Sequence, residues 1–199
     1  MSYPPPYYID EDPDFARRII TDHGFALLII EGLAATHLPL VLKNERDVLS
    51  LDGHIARQNP IAARLLEGAP VSALAVFSGP HAYVSASHYD DPARSVPTWN
   101  YASVQARGTL QALPSEAIPA HLGDLVRAYE GDDGWSVGTA PDYVATISQG
   151  IIAIRMTVTE VQAFRKMSGN KRPAIRKRII DAARARGEDA FADEMETLR

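Results

Sequence analysis

The chain has 199 residues, 46% of them hydrophobic, enough to bury one core and at most a small appendage. Its formal net charge of −5 gives no general attraction to nucleic acid, so any DNA contact has to be local, and the absence of cysteine excludes disulfides, thiolate metal sites and cysteine nucleophiles. The opening MSYPPPYYIDEDPDF lacks a basic segment followed by an apolar one, and no later apolar run approaches the ~20 residues of a spanning helix. A cytoplasmic protein without a membrane partner is expected.

The predicted elements begin with a short helix at EDPDFARRIITDHG, where Asp12 caps, Pro13 takes the first helical position, Phe15 and Ile19 share a face and Gly24 stops the helix. FALLII (25–30), ATHLPLVL (35–42) and VLSLDGHIA (48–56) read as strands of one antiparallel sheet. After Asn59-Pro60, the spacing of Ile61, Leu65 and Leu66 predicts a helix ended by Gly68, and VSALAVF (71–77) is a buried strand. TWNYASVQARGTLQAL (98–113) is a long strand with Gly108 as a bulge. Residues 114–131 are mostly helical, 150–161 return to strand, and 173–197 are helical and highly charged. Short strands with inserted and terminal helices make the fold class mainly β, a barrel or compact sheet with flanking helices. Alternating βαβ units do not emerge, which argues against a doubly wound nucleotide fold.

The stretch SGPHAYVSASHY (78–89) follows the apolar run 71–77 and crowds hydrogen-bonding side chains around a Gly-Pro turn. Polar residues just past a buried strand either line a pocket at a sheet edge or serve the turn itself. There is no HExxH, Walker loop or helix-opening GxGxxG, so several common motif-bearing chemistries are absent and enzyme status stays open. His37, His54, His81 and His88 fall in the strand-rich half without a recurrent ligand spacing, and no metal is assigned.

AATHLPLVL, LDGHIARQNP, VFSGPHAYVSASHY and VPTWNYASVQARG, in this order and spacing, resemble the motif series of the PaiB-type FMN-binding negative transcriptional regulators. GIIAIRMTVTEVQAFRKMSGNK is similar to that family's closing strand and tail. The resemblance implies an FMN-binding split β-barrel over 1–170, a charged helical extension over 171–199, and a flavin held at a homodimer interface.

The chemistry of FMN can be matched against these motifs. Its phosphate needs cations and hydrogen-bond donors, its ring flat walls, and its pyrimidine edge polar partners. Arg57, Thr36, Asn59 and the helix start near Pro60 are the phosphate candidates. His37, His54, Tyr83, Trp99, Asn100, Tyr101 and Ser85 are candidates for the ring and ribityl chain. Each has a plainer reading: Arg57 as a surface cation, Asn59 as a turn residue before proline, Trp99 as core.

The basic run RKMSGNKRPAIRKR admits three uses. It supplies phosphate ligands through Lys166, Ser168 or Lys171, contacts DNA, or is a solvated helix face, which ranks first. No helix-turn-helix pattern follows it, so DNA binding is expected to be weak or indirect. Three function classes therefore stand: an FMN-binding regulator, an FMN-dependent oxidoreductase acting on small molecules, and a haem-binding split barrel with a histidine ligand.

Overall fold

The structure, a computed structural model, describes residues 4–45 and 48–198. In chain order the elements are β1 (Ile9–Asp10), α1 (Pro13–Asp22), β2 (Phe25–Ile30), β3 (Ala35–Pro39), β4 (Val41–Glu45), β5 (Val48–Ala56), α2 (Pro60–Leu66), β6 (Val71–Val84), β7 (Thr98–Ala112), α3 (Ile118–Glu130), α4 (Pro141–Ile147), β8 (Ile151–Lys166), α5 (Pro173–Ala185) and α6 (Asp189–Glu196). The strands follow the order β3-β2-β6-β7-β8-β5-β4, with β1 added on β8. This is the mainly β split-barrel fold with flanking helices and a helical C-terminal segment that the sequence led us to expect.

The chain divides into two compact units, one of Met1–Ile19, Ser78–Val104 and Gln162–Arg199, the other of Ile20–Phe77 and Gln105–Val161. In the second unit β2 and β3 form a hairpin whose turn places Gly32 and Leu33 at φ of 81° and 66°. The predicted strand 35–42 is two strands, interrupted at Leu40, which turns inward to 2% exposure. β5 pairs with β4 and with β8, setting Asp52 opposite Arg155. That carboxylate is buried and accepts two bonds from the guanidinium, at 2.7 and 2.8 Å, so the cost of burying it is offset by a bidentate partner.

Leu28, Leu51, Ile61, Leu65, Ile154 and Met156 fill the core of this unit. Each contributes about 1.5–3 kcal/mol by leaving water. Gly108 lies in this unit on β7, where burial keeps the same alternation from Ala106 to Leu110. The bulge expected there shifts no face; a Cβ at 108 would collide with the carbonyl oxygen of Thr157, so close backbone approach explains the glycine.

In the first unit α1 starts as read from sequence, with Asp12 Oδ1 accepting from the Asp14 N–H at 2.9 Å. Phe15 and Ile19 pack in a core with Ala82, Val84, Ala102, Val104, Met167, Ile175, Ile179, Phe191 and Met195. β6 does not end at Phe77. It runs through the expected Gly-Pro turn to Val84, and its buried face changes parity there, from Phe77 and Gly79 to Ala82 and Val84. Gly79 is tightly packed: a Cβ would stand 3.1 Å from both Ile19 Cδ1 and the Ala102 oxygen, so its neighbours would have to give way slightly. The predicted helix 173–197 is broken by Gly187, at φ 74°. Glu188 N–H donates to Ala183 and Gly187 N–H to Arg184, a Schellman stop that separates α5 from α6.

Candidate functional site

The end of β8, the loop 167–172, the start of β7 and the loop 85–97 enclose a cleft of about 320 Å³ in the first unit. Asn100, Lys166, Ser168 and Lys171, all named from sequence, line it together with Tyr8, Tyr89, Arg94 and Thr98. Its charge is one-sided: three cations and no carboxylate line the cleft.

Alternation on β7 turns Asn100 inward to 1% exposure, where its Nδ2 donates to Ser168 Oγ at 2.8 Å. The hydroxyl, used there as an acceptor, keeps its own proton to donate. Ser168 takes φ 58°, a left-handed conformation that costs a serine energy, and its carbonyl accepts from Lys171 N–H at 2.9 Å. Lys166 Nζ donates to Thr98 Oγ1 at 2.7 Å and lies 5.7 Å from the Tyr8 ring centre. Burial lowers its pKa below the usual lysine value. Lys171 Nζ stands 5.2 Å over the Tyr89 ring, whose own pKa burial raises.

Tyr83 and Trp99 carry the aromatic candidates on β6 and β7. They are 48% and 51% exposed, with ring centres 6.3 Å apart in an edge-on arrangement. Trp99 is therefore not a core residue. Its Nε1–H donates to His81 Nδ1 at 3.3 Å. Tyr101, two residues along the same strand, is half-buried. Ser85 is occupied locally, its Oγ accepting from Ser87 N–H at 3.2 Å and pairing with Ser87 Oγ at 2.9 Å.

The remaining candidates lie in the second unit. Thr36 and Asn59 meet through a 3.3 Å bond from Asn59 Nδ2, while Asn59 Oδ1 caps α2 by accepting from Ile61 N–H at 2.9 Å. Arg57 donates through Nε and Nη2 to the carbonyls of Gln149 and Ile151 at 3.1 and 3.2 Å, tying the end of β5 to the start of β8. His37 is exposed and stacks on Phe25, with centres 5.7 Å apart. His54 Nδ1 is 3.0 Å from Nε2 of His121 on α3. Burial and the nearby His54 push His121 down to about 4, and burial lowers His54. Nδ1 of His121 is buried without a partner.

Sequence reasoning missed Tyr8, Tyr89, Arg94, Thr98 and His121. Thr98 lies inside the motif VPTWNYASVQARG and Tyr89 closes VFSGPHAYVSASHY, so attention to the whole motif would have found them. Arg94 and Tyr8 carry no local signal, because only the folded chain brings them to Lys166. The basic run is largely engaged with its own surroundings: Arg172 and Arg178 both pair with Asp90, Lys177 with Asp181 at 2.9 Å, and Arg176 donates to the Leu198 carbonyl at 2.6 Å. Among the described residues no group of three or more histidine or acidic side chains could hold a metal, and no helix is long and apolar enough to cross a membrane.

The cleft's donors and the open aromatic pair fit FMN in kind, with cations and hydroxyls for a phosphate and flat faces for a ring. The fold that carries them is a split barrel. Residues 2–160 match the family described as "Putative FMN-binding domain", and the chain belongs to that family. Its membership supports FMN as the cofactor.

The chain is 29% identical over 175 residues to the protease synthase and sporulation protein PAI 2 of Bacillus subtilis, covering 85% of this chain and 83% of that one. An uncharacterised protein of Aspergillus fumigatus is also 29% identical, with 84% and 82% covered. Among solved structures, the flavocytochrome Anf3 of Azotobacter vinelandii superposes with a TM-score of 0.59 at 11% identity, covering 80% of this chain and 69% of that one. The FAD and haem binding protein of Mycobacterium smegmatis gives 0.57 at 12% identity, with 80% and 73% covered. At such identities these two likenesses concern the fold.

Proposed function

We propose that the protein binds FMN between two copies of itself and that flavin occupancy or redox state alters its contact with a regulatory partner in the cytoplasm. The observation that carries the flavin half is the cleft with three cations and no carboxylate in a member of the FMN-binding family. Lys166, Ser168, Lys171, Arg57, Thr36 and Asn59 are the proposed phosphate-side residues. His37, His54, Tyr83, Ser85, Trp99, Asn100 and Tyr101 are the proposed partners of the ring and ribityl chain. Bound FMN supplies reversible electron and hydride transfer.

Support for the dimer comes from Tyr83 and Trp99, two large aromatics left half-exposed side by side, which a second copy would cover. Support for a regulatory role comes from the relationship to the Bacillus subtilis protein, which is named for protease synthesis and sporulation. The ion-paired state of Arg172, Arg178 and Lys177 favours indirect regulation over DNA binding by this chain. An FMN-dependent oxidoreductase is the second reading, favoured by the same cationic cleft, which suits a small acidic substrate. The haem reading has less support, since His54 is bonded to His121, His81 accepts from Trp99 and His37 stacks on Phe25.

Reconstitution tests the reading. Calorimetry is expected to show saturable FMN binding, with a flavin absorption spectrum on the isolated complex, and light scattering a dimer at micromolar concentration. Absence of saturable binding removes the flavin claim, and a monomer with undiminished FMN affinity removes the interface claim. Steady NAD(P)H oxidation with an added acceptor would move the assignment to oxidoreductase.

A further inference from the structure

The loop between β6 and β7, residues 85–97, forms one side of the cleft, to which it contributes Tyr89, Arg94, Ser95 and Val96. None of its residues is buried, and the apolar Val96 is 77% exposed. Two short turns, Ala86–His88 and Pro92–Arg94, and a 2.8 Å bond from Ser95 Oγ to the Asp91 carbonyl give it a shape of its own. With no side chain in the core, its position at the cleft depends on polar tethers rather than on packing.

Those tethers converge on 171–178, which ends the opposite loop and opens α5 within the same unit. Asp90 pairs with two arginines at once, one carboxylate oxygen with Arg178 Nη2 at 2.7 Å and the other with Arg172. Arg178 also donates through Nε to the His88 carbonyl at 2.8 Å, so one guanidinium holds both backbone and side chain of the loop. Tyr89 packs against Lys171, whose Nζ is 5.2 Å from the ring centre. Lys177, between the two arginines, pairs instead within its own helix, with Asp181. The arginines reach across to the loop, and the lysine does not.

These tethers define a closed position without locking it. The side chains of Asp90, Arg172 and Arg178 are 45%, 73% and 43% exposed, so water and salt screen both pairs and each holds weakly. A loop held this way opens without unfolding the protein, and its opening sets how fast a ligand passes.

We infer that residues 85–97 are a strap that gates the cleft, with Asp90, held between Arg172 and Arg178, as its latch. The pairs keep the strap closed over a bound ligand, and their release lets the ligand enter and leave. The inference rests on the flavin reading for the identity of that ligand, FMN, and on the tethers for the strap itself.

The test uses the full chain with FMN as the probe, and the variants Asp90→Asn, Arg178→Gln and, as a control on the same helix, Lys177→Gln. All three replace exposed side chains, and thermal melting checks their folding. Stopped-flow flavin fluorescence gives the dissociation rate. Opening the latch from either end is expected to raise that rate about threefold to tenfold, the range for a pair of exposed ion pairs. The gap to the parent narrows as salt rises from about 0.05 to about 1 M, because the parent's own pairs are then screened. Lys177→Gln keeps the parent rate. Using both ends makes the test specific, since Asp90→Asn makes the surroundings of the cleft more positive and Arg178→Gln makes them less so. A purely electrostatic effect on an anionic ligand slows release in the first and speeds it in the second; that result overturns the inference, as do rates unchanged in both. Amide hydrogen exchange over 85–97 separates the strap from the flavin. Faster exchange there in both variants of a chain that binds no FMN keeps the strap and defeats the flavin reading. Exchange unchanged in both variants overturns the strap, whether or not FMN binds.

Discussion

Glu194 on the final helix and Arg18 on the first form an ion pair of 2.8 Å, with the carboxylate side chain 2% exposed and the guanidinium 41% exposed. A second cation, Arg165, stands 3.0 Å from the other carboxylate oxygen and also holds Asp10 at 3.3 Å. The C-terminal helix is thereby bound into the first unit by charge as well as by Phe191 and Met195. Breaking the pair from its two ends has unequal effects. Glu194→Ala leaves the largely buried Arg165 with Asp10 as its one remaining carboxylate and is expected to cost about 1–3 kcal/mol. Arg18→Ala removes a part-exposed partner and is expected to cost about 0.5–1 kcal/mol. Urea unfolding of the two variants checks the ratio; equal losses would mean that the carboxylate is not the centre of the network.

His121 confers a pH dependence whose sign follows from its environment. Its folded-state pKa is about 4 against an ordinary value of 6.5, because burial and His54 oppose its charge while Asp52 and Asp124 only partly favour it. The unfolded chain therefore binds the proton first as pH falls. Stability is full above about pH 6.5, declines as pH falls towards 4, and levels off below, a total on the order of 3 kcal/mol. His121→Gln is expected to flatten the melting temperature between pH 6.5 and 4 relative to the parent. An unchanged slope would place the titration elsewhere.

Gly108→Ala brings a methyl group against the Thr157 carbonyl, which is backbone and cannot swing aside. The strands must separate locally, at a cost of about 1–3 kcal/mol. Gly123→Ala is the control, since a Cβ at that helical position meets nothing within 4 Å and should be neutral to slightly stabilising. Thermal melts of both variants decide it.

Asp90 neutralises Arg172 and Arg178 together. DNA binding by the isolated protein is expected to be weak, independent of sequence and lost between about 50 and 200 mM salt. Asp90→Asn should strengthen it at low salt several-fold, and replacing both arginines by alanine should remove it. Tight, competitor-resistant shifts at physiological salt would contradict this.

Some of the architecture was determined by local sequence. The strands 25–30 and 48–56 and the Asn59-capped helix α2 follow from short-range causes: β-branched runs, a side-chain cap and a proline at the first helical position. The ordered motifs around Thr36, His54, Tyr83 and Trp99 carried the family. What tertiary structure alone decided lies where distant segments meet. Gly79-Pro80 reads as a turn in isolation but is carried within β6, where Ile19 and Ala102 pack closely enough over Gly79 that an added Cβ would be tight. Arg57 looked like a free cation, and its partners are backbone carbonyls more than 90 residues away, invisible to any pattern of side chains. Lys166 and Arg94 were likewise two unrelated cations in a linear reading. Their meeting in one cleft without a carboxylate depends on the return of β8 beside β7, a long-range pairing that sequence periodicity does not encode.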